Sequence, residues 1–168
     1  MNKAFASLLL AGLLSGCAGY HVGPATPQYL RNVHSIAVPV FANTTLVPRI
    51  EALVTGTVIK QFHQDGTFRI ASVGDADAVL KCEIVAVGRA PARSVRGNVL
   101  ATTEFMLTLT VKYTLFGRDG KMLGSPGQVG GSTSFFVGND VATDERQAFP
   151  LAAEELARHL VSQLSEGW

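Results

Sequence analysis

From Glu104 to Leu115 the chain alternates for twelve residues. Phe105, Leu107, Leu109, Val111, Tyr113 and Leu115 fall on one side, and Glu104, Met106, Thr108, Thr110, Lys112 and Thr114 on the other. Side chains of an extended strand point to opposite faces with period two, so this run turns one face to a core and the other to a polar surrounding. A strand buried on both sides would read apolar throughout. The alternation is instead the antiparallel pattern of a sheet covered on one face only. A fold built around this strand must supply one covering layer and leave the opposite face open.

Two segments have the periodicity to be that layer. Ile50, Leu53, Val54, Val58 and Phe62 recur at helical spacing and predict an amphipathic helix over residues 48–64. Asn43, Thr44 and Thr45 offer capping groups before it, Pro48 suits its first turn, and Asp65-Gly66 ends it. Residues 143–167 predict a second helix with Phe149, Ala153, Leu156, Ala157, Leu160 and Leu164 as its apolar stripe, and Pro150 kinking it or marking its first turn. Further strands are expected at residues 35–41, where Pro39 belongs at an edge or bulge, and around Phe68 and Ile70. Others are expected at 78–89, with Ala78, Leu80, Cys82, Ile84 and Ala86 on one face, and at 132–137. Residues 74–77 and Asp119-Gly120 read as turns, and the Gly/Pro-rich residues 124–131 as a strand-to-strand connection. The order β-α-β-β-β-β-α predicts an α+β domain: two helices packed on one face of a four- to five-stranded mixed sheet, with the first two strands parallel.

The N-terminus is of another kind. Lys3, an apolar stretch over residues 4–14 and the small pair Ser15-Gly16 make the three-part layout of a secretory signal, too short to span a bilayer once mature. Leu14-Ser15-Gly16-Cys17 resembles the bacterial lipoprotein signal. That resemblance implies removal of residues 1–16, a diacylglyceryl group on the Cys17 sulfur and acylation of the new amine. Two or more acyl chains anchor stably where one is marginal. Ala18, rather than aspartate, implies the outer membrane. Residues 17–32, with Gly19, Gly23, Pro24 and Pro27, are the expected tether, and residues 33–168 a single domain.

Composition then excludes several function classes. The chain has 14 Lys+Arg and 13 Asp+Glu, and removal of Lys3 leaves 13 of each. No basic footprint for nucleic acid is present. With Cys17 lipidated, Cys82 has no partner for a disulfide, and its place between Leu80 and Ile84 predicts a buried apolar thiol. His21, His34, His63 and His159 lack metal-ligand spacing. The glycine stretch lacks the Gly-Lys-Ser/Thr ending of a phosphate loop, and Gly130-Gly131-Ser132-Thr133-Ser134 is not a nucleophile elbow. Asp75 and Asp77 sit in a turn. A protein without catalysis, metal or cofactor, apart from the lipid on Cys17, is expected.

Two features rise above this background. Arg89, Arg93 and Arg96 lie on an Ala/Pro-rich stretch with no acid between Glu83 and Glu104. Their forks match phosphate and carboxylate geometry, and equally they could keep a sheet edge soluble. Thr108, Thr110, Thr114, Ser132 and Ser134 make an outer face that is polar yet nearly uncharged. Such a face suits the polar wall of another protein, and it also follows from plain β-propensity.

The chain resembles the lipopolysaccharide-assembly lipoproteins, the LptE family. The likeness is carried by Gly16-Cys17-Ala18-Gly19-Tyr20, by Val38-Pro39-Val40-Phe41 with Asn43-Thr44-Thr45 and Pro48-Arg49-Ile50-Glu51, and by the strand from Thr103 to Phe116. It continues through Phe135-Phe136, Glu145-Arg146-Gln147-Ala148 and Glu166-Gly167-Trp168. The resemblance implies two helices against a mixed sheet and a non-enzymatic role. It further implies a lipid-anchored place on the periplasmic side of the outer membrane, as a plug in an LptD-like β-barrel that it helps assemble, and binding of lipopolysaccharide. A basic residue expected before the long strand matches Arg96, with Arg93 and Arg89 nearby. A second, expected before the last helix, is missing, since no Lys or Arg lies between Lys121 and Arg146. Residues 35–43 also resemble lipoproteins that regulate cell-wall synthases or build secretion pores, but that likeness stops after the first helix.

Overall fold

The computed structural model describes residues 26–95, 98–138 and 140–167. After a single 3-10 turn at Gln28–Leu30, the elements follow as β1 (Ser35–Ala37), β2 (Ala42–Asn43), α1 (Ile50–Asp65), β3 (Arg69–Ile70), β4 (Ala78–Val95), β5 (Asn98–Gly117), β6 (Met122–Phe136) and α2 (Val141–Ser165). The sheet runs β3-β1-β4-β5-β6, and β2 also pairs with β4. β1 is parallel to β3 and β4, and β2 is parallel to β4, whereas β4, β5 and β6 are antiparallel. This is the expected α+β layering, with six strands because the first strand stops at Ala37, short of the expected Phe41, and pairing with β4 resumes at Ala42–Asn43. Ala37 stands opposite Val79 and Ala42 opposite Glu83, so five steps on one side face four on the other. The extra residue falls around Pro39, which has no N–H to give the ladder.

The inner face of the long strand is the floor of the core. Leu107, Leu109 and Val111 are fully buried, together with Val54, Val58 and Phe62 of α1 and Leu156, Leu160 and Leu164 of α2. Phe62 meets Phe68 edge-on, with ring centroids 6.4 Å apart. Cys82 is buried among these groups, and burial pushes its thiol up, as expected of an inert apolar cysteine.

Several local expectations are corrected. The glycine-rich residues 124–131 are not a connection but the middle of β6. A Cβ on Gly131 would run into the Leu156 nitrogen and the Ala152 carbonyl of α2, so the glycine is where helix and sheet backbones touch. The arginine-bearing stretch is likewise strand, because β4 continues to Val95. Within β4 a register shift between Ile84 and Ala86 inserts one residue. The alternation is offset there: Ala86 is exposed, and Val87 packs on the core in its place. Pro150 neither starts nor breaks α2, which is capped by Asp140 through the N–H groups of Ala142 and Thr143. Both Pro150 and Arg146, whose carbonyl loses its helical donor, are exposed, so water can satisfy that oxygen. No side chain caps α1. Arg49 precedes it at φ 63°, while Gly66 closes it at φ 77° as expected.

Asp77, expected as a solvated turn residue, ties β1 to the start of β4. Its Oδ2 accepts from the Ser35 hydroxyl at 2.8 Å and from the N–H groups of Ser35 and His34 at 3.0 and 3.1 Å. The Ser35 hydroxyl, then the His34 N–H, hold its carboxyl below the usual aspartate range. A carboxyl depressed in the fold stabilises above its unfolded pKa of about 3.9, and that contribution is lost as pH falls through the folded value. Asp77→Ala should therefore lower the thermal midpoint at pH 7, with a deficit that shrinks as the pH drops below about 4. A deficit independent of pH in a melting series would contradict this.

Two glycines in contrasting environments should separate cleanly as well. Gly131→Ala forces α2 off the sheet and should cost about 1–3 kcal/mol. Gly56→Ala, on α1 with open space around its Cβ position, should stabilise by about 0.5–1 kcal/mol. Urea unfolding of both variants measures the contrast.

Candidate interaction face

Because both helices lie on one side, the opposite face of β4, β5 and β6 carries no covering layer among the described residues. Register sets its rows. Glu83, Lys112 and Gln128 form one row across the three strands, then Ala86, Thr110 and Gly130, then Gly88, Thr108 and Ser132, then Ala90, Met106 and Ser134. The two central rows hold no side chain larger than threonine, so the middle of the face is flat and uncharged. Thr108 and Ser132 are direct partners, Thr110 and Ser134 lie one row to either side, and Thr114 sits further along, opposite Lys81. The structure thus groups four of the five hydroxyl residues singled out in the sequence, while Thr114 stands apart beyond the charged row.

The ends of the face differ in chemistry. At one end is a shallow concavity of about 750 Å³ lined by Lys81, Glu83, Lys112, Thr114, Phe116 and Gln128. The Lys81 ammonium stands 5.0 Å above the Phe116 ring, a cation–π contact that holds it over the face. At the other end Met106 and Phe136 are exposed at 38% and 67%. The small, uncharged centre is thus flanked by mixed ends, Lys81, Glu83 and Lys112 with Phe116 and Met122 on one side and Met106, Phe136 and Glu104 on the other.

The three arginines do not form one free cluster. Arg89 Nη1 lies 3.0 Å from Glu145 Oε2 of α2, and its guanidinium sits 5.2 Å over the Phe105 ring. Phe105 in turn stacks on Phe135 at 5.9 Å. Arg89 thus fastens the root of the β4–β5 hairpin to the covering helix. Arg93 stands opposite Glu104 in register. Arg96, like Cys17, the expected site of lipid attachment, lies outside the described residues. Arg146 folds back on its own helix, bonding the Ala142 carbonyl at 3.1 Å and the Thr143 hydroxyl at 3.0 Å. The loop before α2 therefore gains no free cation from it.

A feature not anticipated from sequence protects the outer edge of β6. Glu155 accepts the Ser132 N–H and hydroxyl, and His159 Nδ1 lies 2.8 Å from the Gly130 carbonyl. Since the carbonyl can only accept, Nδ1 carries the proton there. Two α2 residues four apart thus occupy a donor and an acceptor that an edge strand would offer to another chain. The i, i+4 spacing was visible, but only the helix position over β6 reveals its target. Replacing both, as Glu155→Lys with His159→Ala, should make self-association rise more steeply with concentration than in the wild type, by light scattering after size exclusion. An unchanged profile would show that the two side chains do not guard the edge.

Among the described residues no helix is long and apolar enough to cross a membrane, and no three His, Cys, Asp or Glu side chains converge as a metal site would need. The lipopolysaccharide-assembly family model, LptE, matches residues 33–164. No curated protein sequence matches the chain. Among solved structures, a Xanthomonas campestris protein is similar at TM-score 0.58 and 12% identity, over 79% of this chain and 85% of its own. The PelC dodecamer subunit from Paraburkholderia phytofirmans gives 0.52 at 17%, over 86% and 94%. A minor lipoprotein from Acinetobacter baumannii gives 0.50 at 18%, over 79% and 91%. At such identities these likenesses establish a shared fold.

Proposed function

The chain belongs to the lipopolysaccharide-assembly family LptE, and from that premise we propose that it is an outer-membrane lipoprotein whose bare sheet face seats against the wall of an LptD-like β-barrel. Residues 1–16 are removed and Cys17 carries the lipid that holds the protein on the periplasmic side. The protein takes part in lipopolysaccharide transport by binding, without catalysis.

The observation that carries this reading is the composition of the open face. A solvated sheet face ordinarily carries interspersed Lys and Glu, which cost nothing in water but are expensive to bury against a partner. The rows Ala86–Thr110–Gly130 and Gly88–Thr108–Ser132 avoid that cost, since short hydroxyl side chains can bond either to water or to a polar wall. The exposed Met106 and Phe136 at one end add apolar surface of the kind that interface cores enrich. The near-zero net charge fits a body held in place by lipid and packing.

For lipopolysaccharide, the phosphate-matching groups of this reading are Arg93 and Arg96. Arg89 is committed to Glu145 and acts by setting the hairpin's angle to the body. Regulation of a cell-wall synthase or service to a secretion pore has less support, because the family match runs through residue 164, well past the first helix.

Purification of the tagged chain from detergent-solubilised envelopes should recover an LptD-like barrel in near-equal amount. Thr108→Lys with Thr110→Lys, two charges on the flat centre, should cut that recovery at least tenfold while leaving the thermal midpoint within a few degrees. Absence of a barrel from the wild-type preparation, or a cell-wall synthase in its place, would overturn the reading.

A further inference from the structure

Along the outer edge of β6 the row of guarding side chains from α2 breaks off. Glu155 meets the Ser132 N–H and His159 the Gly130 carbonyl, so four residues of helix answer to two of strand, about 6 Å in each. The next pair in that row is Gln163 over Gln128. The Gln128 N–H and C=O point outward as those of residues 130 and 132 do, because all three lie at alternate positions of one unbroken register. Gln163 does not cover them. Its Oε1 accepts the Tyr113 hydroxyl at 3.0 Å instead. What opens there is a cleft of about 430 Å³, walled by Pro27, Tyr29, Tyr113, Gln128, Gln163 and Glu166.

Two glycines of residues 124–131 seat the rings of this cleft. A Cβ on Gly127 would run into the Tyr113 ring, and one on Gly124 would lie 2.8 Å from Tyr29 Cε2. Both rings therefore rest on bare strand backbone, and Tyr29 is still 46% exposed. Burial first, then the Tyr29 phenol, holds the Tyr113 hydroxyl above the usual tyrosine range, which puts the two phenols in one neighbourhood. The polar wall is mixed in kind. With its oxygen taken, Gln163 has its NH₂ left to donate, and Glu166 gives Oε2 to the Ser162 hydroxyl and keeps Oε1 as an acceptor. Gln128 offers a backbone donor and acceptor together. Among the described residues the lining holds no Lys, Arg or His.

We propose that this cleft binds an uncharged pyranose of the lipopolysaccharide saccharide, an inference that rests on the lipopolysaccharide reading above and adds to it a site for the sugars. A pyranose has a C–H face, which suits the electron-rich face of a tyrosine ring. It also has an edge of hydroxyls that each donate and accept, which suits amide and carboxylate groups side by side. Other occupants fit the wall badly. A phosphate or carboxylate would meet Glu166 with no cation to offset it. An acyl chain would leave the Gln128 backbone groups and the Gln163 amide buried without partners. An added β-strand has one residue to pair with, since His159 holds the edge on one side and Pro126 has no N–H on the other. Arg93 stands opposite Glu104, nine residues and about 30 Å along β5 from Tyr113. Charged and uncharged parts of the ligand are thereby met at separate ends of the sheet.

The test titrates the full chain, isotope-labelled and purified from envelopes in a detergent without a sugar headgroup, and follows its amide resonances. The probes are whole lipopolysaccharide, its deacylated and dephosphorylated oligosaccharide, and chitotriose as a wall-type glycan. The oligosaccharide should shift the Gln128 backbone amide and the Gln163 side-chain amide saturably at millimolar concentration, and chitotriose should bind about tenfold more weakly. Tyr29→Ala should weaken oligosaccharide binding about tenfold, while Tyr29→Phe keeps the ring and most of the affinity. Gln163→Leu, which removes the amide at similar volume, should weaken it as much with the thermal midpoint within a few degrees. No shift with the oligosaccharide while whole lipopolysaccharide still binds would overturn the cleft and leave the lipopolysaccharide reading standing, and binding of neither would overturn both. Equal affinity for chitotriose, shifts that survive both Tyr29→Ala and Gln163→Leu, or displacement of the oligosaccharide by inorganic phosphate would overturn the assignment.

Discussion

The close approach of α2 to β6 at Gly131 is the contact on which the rest of the architecture depends. Helix and strand backbones meet there without an intervening side chain, which lets Leu156 and Leu160 sink onto the inner face of β5. The same approach carries Glu155 and His159 over the edge of β6, where they occupy the Ser132 N–H and the Gly130 carbonyl. It also brings Glu145 within reach of Arg89, fastening the long hairpin. One face of the sheet is thereby closed and one edge guarded, and the opposite face is left for whatever the protein meets.

Two aspartate or asparagine side chains do the remaining fastening. Asp77 gathers three donors from the His34–Ser35 segment and joins the parallel part of the sheet to the antiparallel part. Asn43 does for the β2–α1 loop what a helix cap would have done for α1, but spends its groups on shaping the loop. Both are short polar side chains whose local bonding replaces regular backbone pairing. The loop geometry at Arg49 follows, since a chain closed through Asn43, Thr45 and Val47 must turn sharply to enter α1.

Membership of the lipopolysaccharide-assembly family fits the division of labour between these surfaces. A neutral body, one small-residue face and a long hairpin fastened at its root by Arg89 are the surfaces available to a partner. Cys82 is shut in the core, where burial favours the neutral thiol.

By itself the sequence determined the element types and the layering. The alternation from Glu104 to Leu115 is local and strict, the helical stripes on α1 and α2 are long, and Gly66 is a simple stop, so backbone period and apolar pattern were enough. It also made the hydroxyl face legible, because alternation assigns Thr108, Thr110 and Thr114 to one side without any tertiary information. What it could not decide were matters that depend on which backbone comes near which. The glycines of 124–131 looked like a loop because glycine is a turn residue, yet Gly131 is there to admit a helix. The offset at Ala86 follows from one inserted residue that composition does not mark. Arg89, Arg93 and Arg96 are similar as letters, and only the packing of α2 commits the first to Glu145. Local pattern is read along one chain, whereas pairing, close approach and charge neutralisation are fixed between segments far apart in it, and those the tertiary structure alone decided.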